Sequence, residues 1–446
     1  HIIGYTHSGH SLTVFYGFAC LFLVGFLWGA LGGAGTALPA VLSRQQIRDA
    51  LLPLSAIASI WFVQDAVVAR WFNVDSAFRH ESPLYWYDTD WLGALLALLA
   101  VSAVSLFRRR LDLFSSLALH LAVGWWMGFL ILVNVLGLRM TPPRGDNWAG
   151  CVGMAIGLWV FCGRHRLAQV AWASVVTGAW GSVGFAAAQA LKLLGITTGW
   201  QTNWHSLLEQ TYGFLNGVGI AAAMFWLARR VPPPEENPPG IRWAHPCAVG
   251  FVLLGITYLN LRQNPETWVA AKTVPPLLYG LSVAAWFNLG YLALLIAFVA
   301  LVNAHRQRPL PVLPADRLGR GLFLYVVFLW WVVIGNFERA LVAFAPARLV
   351  TEGVIHLNAV LCTVGVLMRA RSGPCLDWTP VLDWSRVFRR LIAMGLGTAV
   401  VCVTAGWALV RAVYRDQPAP HASKHIRFGP GATATEAKPQ RGQRHP

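Results

Sequence analysis

Apolar residues along this chain fall into long runs, mostly of about 20 residues, that are separated by short polar links. A helix of that length spans the roughly 30 Å hydrocarbon core of a bilayer. The pattern repeats along most of the chain and predicts an all-α fold, a polytopic transmembrane helix bundle with about 12 spans and short loops. The predicted spans are residues 12–40, 50–72, 91–107, 113–137, 147–163, 168–194, 205–228, 245–261, 279–303, 320–345, 349–368 and 391–413.

The pattern divides the chain into two parts. The helix bundle is expected to occupy residues 1–413, and residues 414–446, rich in Pro, Gly, Ala, Lys and Arg, predict a disordered basic tail. Two prolines at 275 and 276 interrupt the stretch before the ninth span, so residues 266–278 are expected to lie along the membrane surface. The chain begins with His1 rather than Met, which leaves a preceding signal or helix as an open alternative.

Composition supports the membrane assignment. Apolar residues make up 56% of the chain and charged residues 12%, whereas soluble domains carry about 25% charged residues. The 22 Trp residues fit a protein with two membrane interfaces, where Trp is enriched. A net charge of +16 would suggest nucleic acid in a soluble protein. Here the basic residues occupy links between spans, so membrane lipids rather than nucleic acid are the expected partners.

The basic residues alternate from link to link. Counting links alternately from residues 43–49, one set carries 19 Lys and Arg and the other carries 7. Cytoplasmic loops are enriched in these residues, so the first set is predicted to be cytoplasmic, most simply in a bacterial inner membrane. The tail after position 411 is basic but would lie outside, which is an exception to the rule.

Charged side chains inside membrane spans are costly, so each is a candidate for function. Eight such residues, two of them histidines, are all expected in the outer half of the predicted bundle: Asp65, Lys192, His205, Glu209, Glu338, Arg339, Glu352 and His356.

Two His and Glu pairs have a spacing of four residues, which places both members on one helix face. These are His205 with Glu209, and Glu352 with His356. A carboxylate beside an imidazole suits proton transfer, so all four residues are predicted as catalytic or proton-handling groups. Interfacial polar residues without chemistry are the alternative. A divalent metal site is a further alternative, but no motif supplies a third ligand. Neither a metal nor a cofactor is therefore predicted.

A second set of residues is predicted to bind substrate. Arg339 suits a carboxylate or phosphate that it grips with two hydrogen bonds, and Glu338 beside it needs a partner on another helix. The link at 73–91 interleaves acids with aromatic rings, as a sugar-binding or lipid-phosphate-handling loop requires. An aromatic belt with solvated acids is the alternative reading of that link. The predicted substrate-binding set is Asp65, Trp86, Asp88, Asp90, Glu338 and Arg339.

Small residues repeat every four positions in three spans, a spacing that lets helix backbones approach closely. They are Gly25 with Gly29 and Gly33, Gly153 with Gly157, and Gly213 with Gly217. His120 is expected near the middle of the fourth span, and buried Asn and His side chains are expected to form hydrogen bonds between helices.

Three functions fit these patterns. The first is a secondary transporter or permease for a small polar or anionic solute, because twelve spans with short links and no nucleotide motif are typical of that class. The second is a membrane-embedded transferase facing outside, which acts on a lipid-linked sugar or acyl group. The third is a scaffold without catalysis. Phosphate loops, nucleophile elbows and the H-E-x-x-H motif are absent from the sequence, and the oligomeric state stays open.

Overall fold

The computed structural model describes residues 11–67, 90–138, 147–200, 202–228, 258, 264–272, 274–307, 325–333, 346–369 and 383–415. This description does not include the side chains of residues 61–67, 90 and 346–352, nor those at scattered single positions. The chain separates into two compact units. The first comprises residues 1–198, 208–234 and 377–446, and the second comprises residues 199–207 and 235–376.

The first unit is built from long helices. They are α1 (Ser11–Val41), α2 (Arg44–Val67), α3 (Asp90–Arg108), α4 (Leu113–Gly128), α5 (Asn147–Arg164), α6 (Ala168–Thr197), all but the first turn of α7 (Trp204–Ala228), and α12 (Trp384–Tyr414). Asp112 begins α4 by accepting a hydrogen bond from the Ser115 amide at 2.9 Å, which satisfies one of the free N–H groups at a helix start. The helix continues beyond Gly128 as a π-helical segment, Phe129–Val135.

Five helices in the described ranges are long and apolar enough to cross a membrane: Val14–Pro39, Trp91–Arg108, Leu113–Val135, Ala168–Thr197 and Trp384–Tyr414. Two shorter apolar helical stretches are Val283–Ala297 and Gly353–Met368. The helical fold class is therefore confirmed, whereas the count of twelve spans stays a prediction. The predicted span at 245–261 lies almost wholly outside the described residues.

Helices α1 and α6 form a close pair in the first unit. A Cβ atom at Gly25 would come within 2.5 Å of the Gly181 carbonyl oxygen, and one at Gly29 would overlap the Thr177 carbonyl oxygen. Because Gly25 faces Gly181 and Gly29 faces Thr177, the two helices run antiparallel. Glycine thus permits the close backbone approach that the four-residue spacing predicted.

The α4–α5 pair is built in the same way, since Cβ atoms at Gly153 and Gly157 would overlap the carbonyl oxygens of Gly124 and His120. The third predicted pair is different. A Cβ atom at Gly213 or Gly217 would meet no other described atom within 4 Å, so the expected helix contact at these glycines is wrong for the described part of the chain.

Two hydrophobic clusters lie at opposite ends of the first unit. The first joins the C-terminal halves of α1, α5 and α7 to the N-terminal halves of α4, α6 and α12, with Ala37, Phe161 and Ala173 fully buried. The second joins the start of α1 to the C-terminal halves of α6 and α12, with Val14 and Phe18 fully buried. Consecutive helices therefore alternate in direction, as short links between spans require.

The basic links of the first unit gather at the end that holds the first cluster. Arg108 donates to the Asp49 carbonyl oxygen at 2.7 Å, and Arg110 pairs with the Asp49 carboxylate at 2.8 Å, which ties the link after α1 to the link after α3. The turn after α5 and the start of α12 also belong to this end. We call it the basic end, defined by residues 43–49, 108–112, 164–167 and 383–390.

The second unit contains α8 (Asn264–Ala270), α9 (Val283–Gln307), helical residues 325–333 (α10) and α11 (Pro346–Arg369). Aromatic contacts join its helices, with Tyr291 of α9 and Trp331 of α10 at 5.2 Å between ring centroids. The Trp330 indole donates to the Thr363 hydroxyl of α11 at 2.9 Å.

A short hairpin replaces the expected start of the ninth span. Residue pairs Leu277–Leu278 and Leu281–Ser282 form antiparallel strands, and α9 begins at Val283 rather than at residue 279. Tyr279 and Gly280 both have positive φ angles, 49° and 80°, as in the tight two-residue turns of hairpins. Ser282 then caps α9 by accepting from the Ala285 amide at 3.1 Å. The apolar pattern predicted a helix from residue 279, but the tight turn at Tyr279-Gly280 delays the start of the helix to Val283.

Candidate functional site

The first predicted His and Glu pair lies at the start of α7. The side chains of both His205 and Glu209 are exposed, and Asn203 caps the helix by accepting from the Ser206 amide at 3.1 Å. The four-residue spacing places the two side chains one turn apart on one helix face, as predicted. Their assignment to catalysis stays a prediction.

Glu209 interacts electrostatically with Lys192, which lies near the C-terminus of α6. Lys192 is partly buried, whereas Glu209 is exposed. Both residues lie far from the basic end, because α6 begins at that end and α7 finishes there. The contact therefore places one cation and one carboxylate at the end that the charge pattern predicted to be outside.

The second pair lies on α11. His356 is half-buried, while the Glu352 side chain lies outside the described residues. Glu209 belongs to the first unit and His356 to the second. The predicted convergence of the two pairs around one cavity remains a prediction.

Most of the predicted substrate-binding residues fall outside the description. Trp86, Asp88, Glu338 and Arg339 lie outside the described ranges. The backbones of Asp65 and Asp90 belong to α2 and α3, but their side chains are not described. Among the residues that the structure describes, no group of three or more His, Cys, Asp or Glu is arranged to hold a metal ion.

An apolar cavity of about 510 Å³ lies among α2, α3, α4 and α5 of the first unit. We call it the inner cavity. Its volume lies within the range of small-molecule sites, roughly 300–1,000 Å³. Nearly all of its lining is apolar, and representative lining residues are Ile57, Ala97, Ala118, Leu121, Trp125 and Met154. This cavity could not be predicted from the sequence, because its lining residues are typical of ordinary membrane-spanning positions.

Aromatic rings surround one end of the inner cavity. Trp125 lines the cavity and stacks on Phe129 at 5.2 Å between centroids, while Trp126 contacts Trp91 edge-on at 6.3 Å. Trp91 directly follows Asp90, so these rings lie at the end of α3 that adjoins the predicted acidic and aromatic link. The buried Trp126 indole N–H has no hydrogen-bond partner in the described part of the chain. An indole N–H only donates, so it is suited to a hydroxyl or phosphate oxygen.

A polar connection between α4 and α5 lies near the basic end. The Ser116 hydroxyl is 3.0 Å from His165 Nε2, and His120 Nδ1 is 2.7 Å from the Ser116 carbonyl oxygen. A carbonyl oxygen only accepts, so His120 Nδ1 carries the proton and donates. This hydrogen bond lies within α4, whereas the sequence predicted hydrogen bonds between helices for His side chains.

His165 lies in the turn after α5, outside the membrane-crossing helices. Burial, followed by the neighbouring His120 and Arg164, lowers the pKa of His165 below its ordinary value. His165 was not among the functional residues predicted from the sequence. The link between Ser116 and His165 joins residues 49 positions apart, and only helix packing brings them together.

Comparison with known proteins adds no assignment: no family model, no curated protein and no solved structure matches this chain.

Proposed function

We propose that this protein is a membrane-embedded transferase that acts on a lipid-linked substrate at the end opposite the basic end. The inner cavity supports this proposal most directly. Within a membrane protein, a cavity lined by apolar side chains suits a hydrocarbon chain, because burying apolar surface is favourable and the lining offers few polar partners. A small polar solute would leave its own hydrogen-bonding groups unpaired there.

The aromatic end of the inner cavity supports the position proposed for the headgroup. Trp125 lines that end, Trp126 contacts Trp125 edge-on, and α3 begins there at Asp90. In this proposal the apolar chain of the lipid lies along α4. The Trp126 N–H donates a hydrogen bond to the lipid headgroup, and the acids of the link at 73–91 contact the sugar or phosphate of that headgroup.

The proposed chemistry is transfer of a sugar or acyl group from the carrier to an acceptor hydroxyl. A general base takes the hydroxyl proton, the oxygen attacks the activated carbon, and the carrier leaves with the bonding electrons. Glu209 is the candidate base in the first unit. The charge pattern places this chemistry on the outer side of a bacterial inner membrane, since the basic end would face the cytoplasm.

Mass spectrometry of lipids that copurify with the protein tests the binding step. Wild type should retain a lipid with a long apolar chain and a phosphate-bearing head that carries a sugar or acyl group. Ala118→Phe, which fills the inner cavity, should lose it. The matched control is Ala405→Phe, because Ala405 is exposed on α12 and should retain the lipid. Equal retention by all three proteins would exclude the inner cavity as the binding site.

The transfer step needs a separate measurement. The copurified lipid is incubated with wild type and with Asp88→Asn and Asp90→Asn, and loss of its head group is followed over time. We expect wild type to convert the lipid and the two variants to bind it with strongly reduced conversion. Conversion at the wild-type rate by both variants would overturn the role of the acidic link.

A secondary transporter is the second candidate. The observation that favours it is the interaction of the partly buried Lys192 with Glu209 at the same end, since a charged pair within spans often marks a solute or proton path. Uptake into proteoliposomes that is lost in both Lys192→Gln and Glu209→Gln, but retained in Ala118→Phe, would favour transport over transfer.

A further inference from the structure

The α4–α5 pair carries a second apolar depression on the side opposite the inner cavity. We call it the outer groove, and its volume is about 510 Å³. Its floor is backbone, because Gly124, Gly153 and Gly157 have no side chains and the two helices approach through them. Its walls are side chains that are about half exposed: Val123, Met127 and Ile131 on α4, and Ile156 and Val160 on α5.

The outer groove is as long as one leaflet of a bilayer. It extends along α4 from Leu119 to Leu132, which at 1.5 Å per residue is roughly 20 Å. One leaflet contributes about 15 Å of hydrocarbon. The groove therefore matches a single extended acyl chain lying along the helix pair.

One end of the outer groove changes from apolar to cationic. His120 and Val160 line the end nearest the basic end. Arg164 follows Val160 by four residues and therefore continues the same helix face. It is exposed, and no carboxylate pairs with it among the described residues. His165 and Arg166 follow Arg164 directly in the turn, so the charge beyond the groove is positive.

We propose that the outer groove binds one anionic phospholipid of the surrounding bilayer, with an acyl chain between α4 and α5 and its phosphate at Arg164. Charge complementarity selects this occupant. An apolar face alone would accept any lipid, but an unpaired arginine at headgroup depth favours an anionic one. The site goes beyond the proposed transfer reaction, since it lies on the other side of the α4–α5 contact and at the opposite end of the helices.

Native mass spectrometry in detergent, with phosphatidylglycerol or phosphatidylcholine added, measures the preference. Arg164→Gln should reduce the preference for phosphatidylglycerol about fivefold, the effect of one cation near a membrane surface of about 1 kcal/mol. The matched control is Arg389→Gln, because Arg389 is an exposed arginine of the same end that lies outside the groove. An equal loss in both variants would overturn the site in favour of a diffuse charge effect.

The chain-binding part of the site is tested by filling the groove. Val160 is 55% exposed and Val401 on α12 is 65% exposed, so Trp at either position should leave folding intact. We expect Val160→Trp to lose both lipids and Val401→Trp to bind like wild type. Binding by Val160→Trp at the wild-type level, with an unchanged melting temperature, would overturn the proposal. Ala118→Phe should leave this lipid bound, so failure of the inner-cavity function and failure of this site are distinguishable.

Discussion

The α1–α6 and α4–α5 pairs use the same glycine spacing but have different surroundings. Gly25 and Gly29 bring α1 against α6, and α12 packs on both helices. Gly153 and Gly157 bring α5 against α4, but this pair has a cavity on each side. Glycine spacing therefore determines where backbones approach, and the neighbouring helices determine whether space is left for a ligand.

The polar side chains at the two helix contacts also form different kinds of hydrogen bond. In α6, Thr177 and Ser182 donate to carbonyl oxygens of their own helix, Ala173 and Gly178. Between α4 and α5, the Ser116 hydroxyl instead meets His165 of the other helix end. The first contact is a structural core, whereas the second has a titratable group beside it and a cavity on each side.

The largest expected effect is that of Gly29→Ala. Its Cβ would overlap the Thr177 carbonyl oxygen, and a backbone atom in a covered interface cannot move aside. We expect a loss of about 3 kcal/mol in the free energy of unfolding, measured by thermal unfolding in detergent. Gly217→Ala is the control, because open space surrounds that position. A wild-type melting temperature for Gly29→Ala would contradict the close contact.

The next largest effect is expected when a larger side chain is placed in each of the two regions. Ala173 is fully buried in the first cluster, whereas Ala118 lines the inner cavity. Ala173→Leu should cost about 2 kcal/mol through overpacking, and Ala118→Leu should change the free energy of unfolding by less than about 1 kcal/mol. The same unfolding assay compares them. Equal losses would mean that the inner cavity is not available space.

A smaller loss is expected for Gly153→Ala. Its Cβ would overlap the Gly124 carbonyl oxygen, but α4 and α5 can separate slightly because cavities lie on both sides. We expect a loss of about 1 kcal/mol, less than for Gly29→Ala, since overpacking costs less where neighbours can shift. Gly35→Ala, at a position with open space, is the control. A loss larger than that of Gly29→Ala would reverse the comparison.

The smallest effect is a dependence on pH. The pKa of His165 is lowered in the folded protein, so the unfolded chain takes up the proton first as pH falls. The stability contribution is present above the ordinary His pKa of about 6.5 and is lost as pH falls below it. The melting temperature should therefore decline from pH 7.5 to 5.5, and less steeply in His165→Gln. A wild-type slope in His165→Gln would exclude this role.

The fold class could be predicted from the local pattern of apolar and polar residues along the chain. Long apolar runs predicted helices whose bounds agree within a few residues for α1, α3 and α5, because a backbone in hydrocarbon must satisfy its hydrogen bonds internally. Glycine spacing predicted two of three contacts. Among the described residues, Gly213 and Gly217 have no partner helix, because the spacing describes one helix face and does not specify a partner for it.

The candidate site was predicted much less completely. His205, Glu209 and His356 were selected for the cost of placing polar groups in a span, a property of single residues that the sequence displays. The inner cavity, the outer groove and the contact between Ser116 and His165 arise from residues that individually look like ordinary apolar or capping positions. They depend on which helices become neighbours.

The sequence by itself determined that this protein is helical, that it has membrane-crossing segments, and where its basic links lie, since these follow from hydropathy and charge along the chain. Only the tertiary structure decided which helices become neighbours, that Arg108 and Arg110 contact Asp49, and that space remains on both sides of α4 and α5. The reason is physical. Hydropathy acts on each helix alone, whereas a cavity is a property of several helices whose side chains fail to fill the space between them.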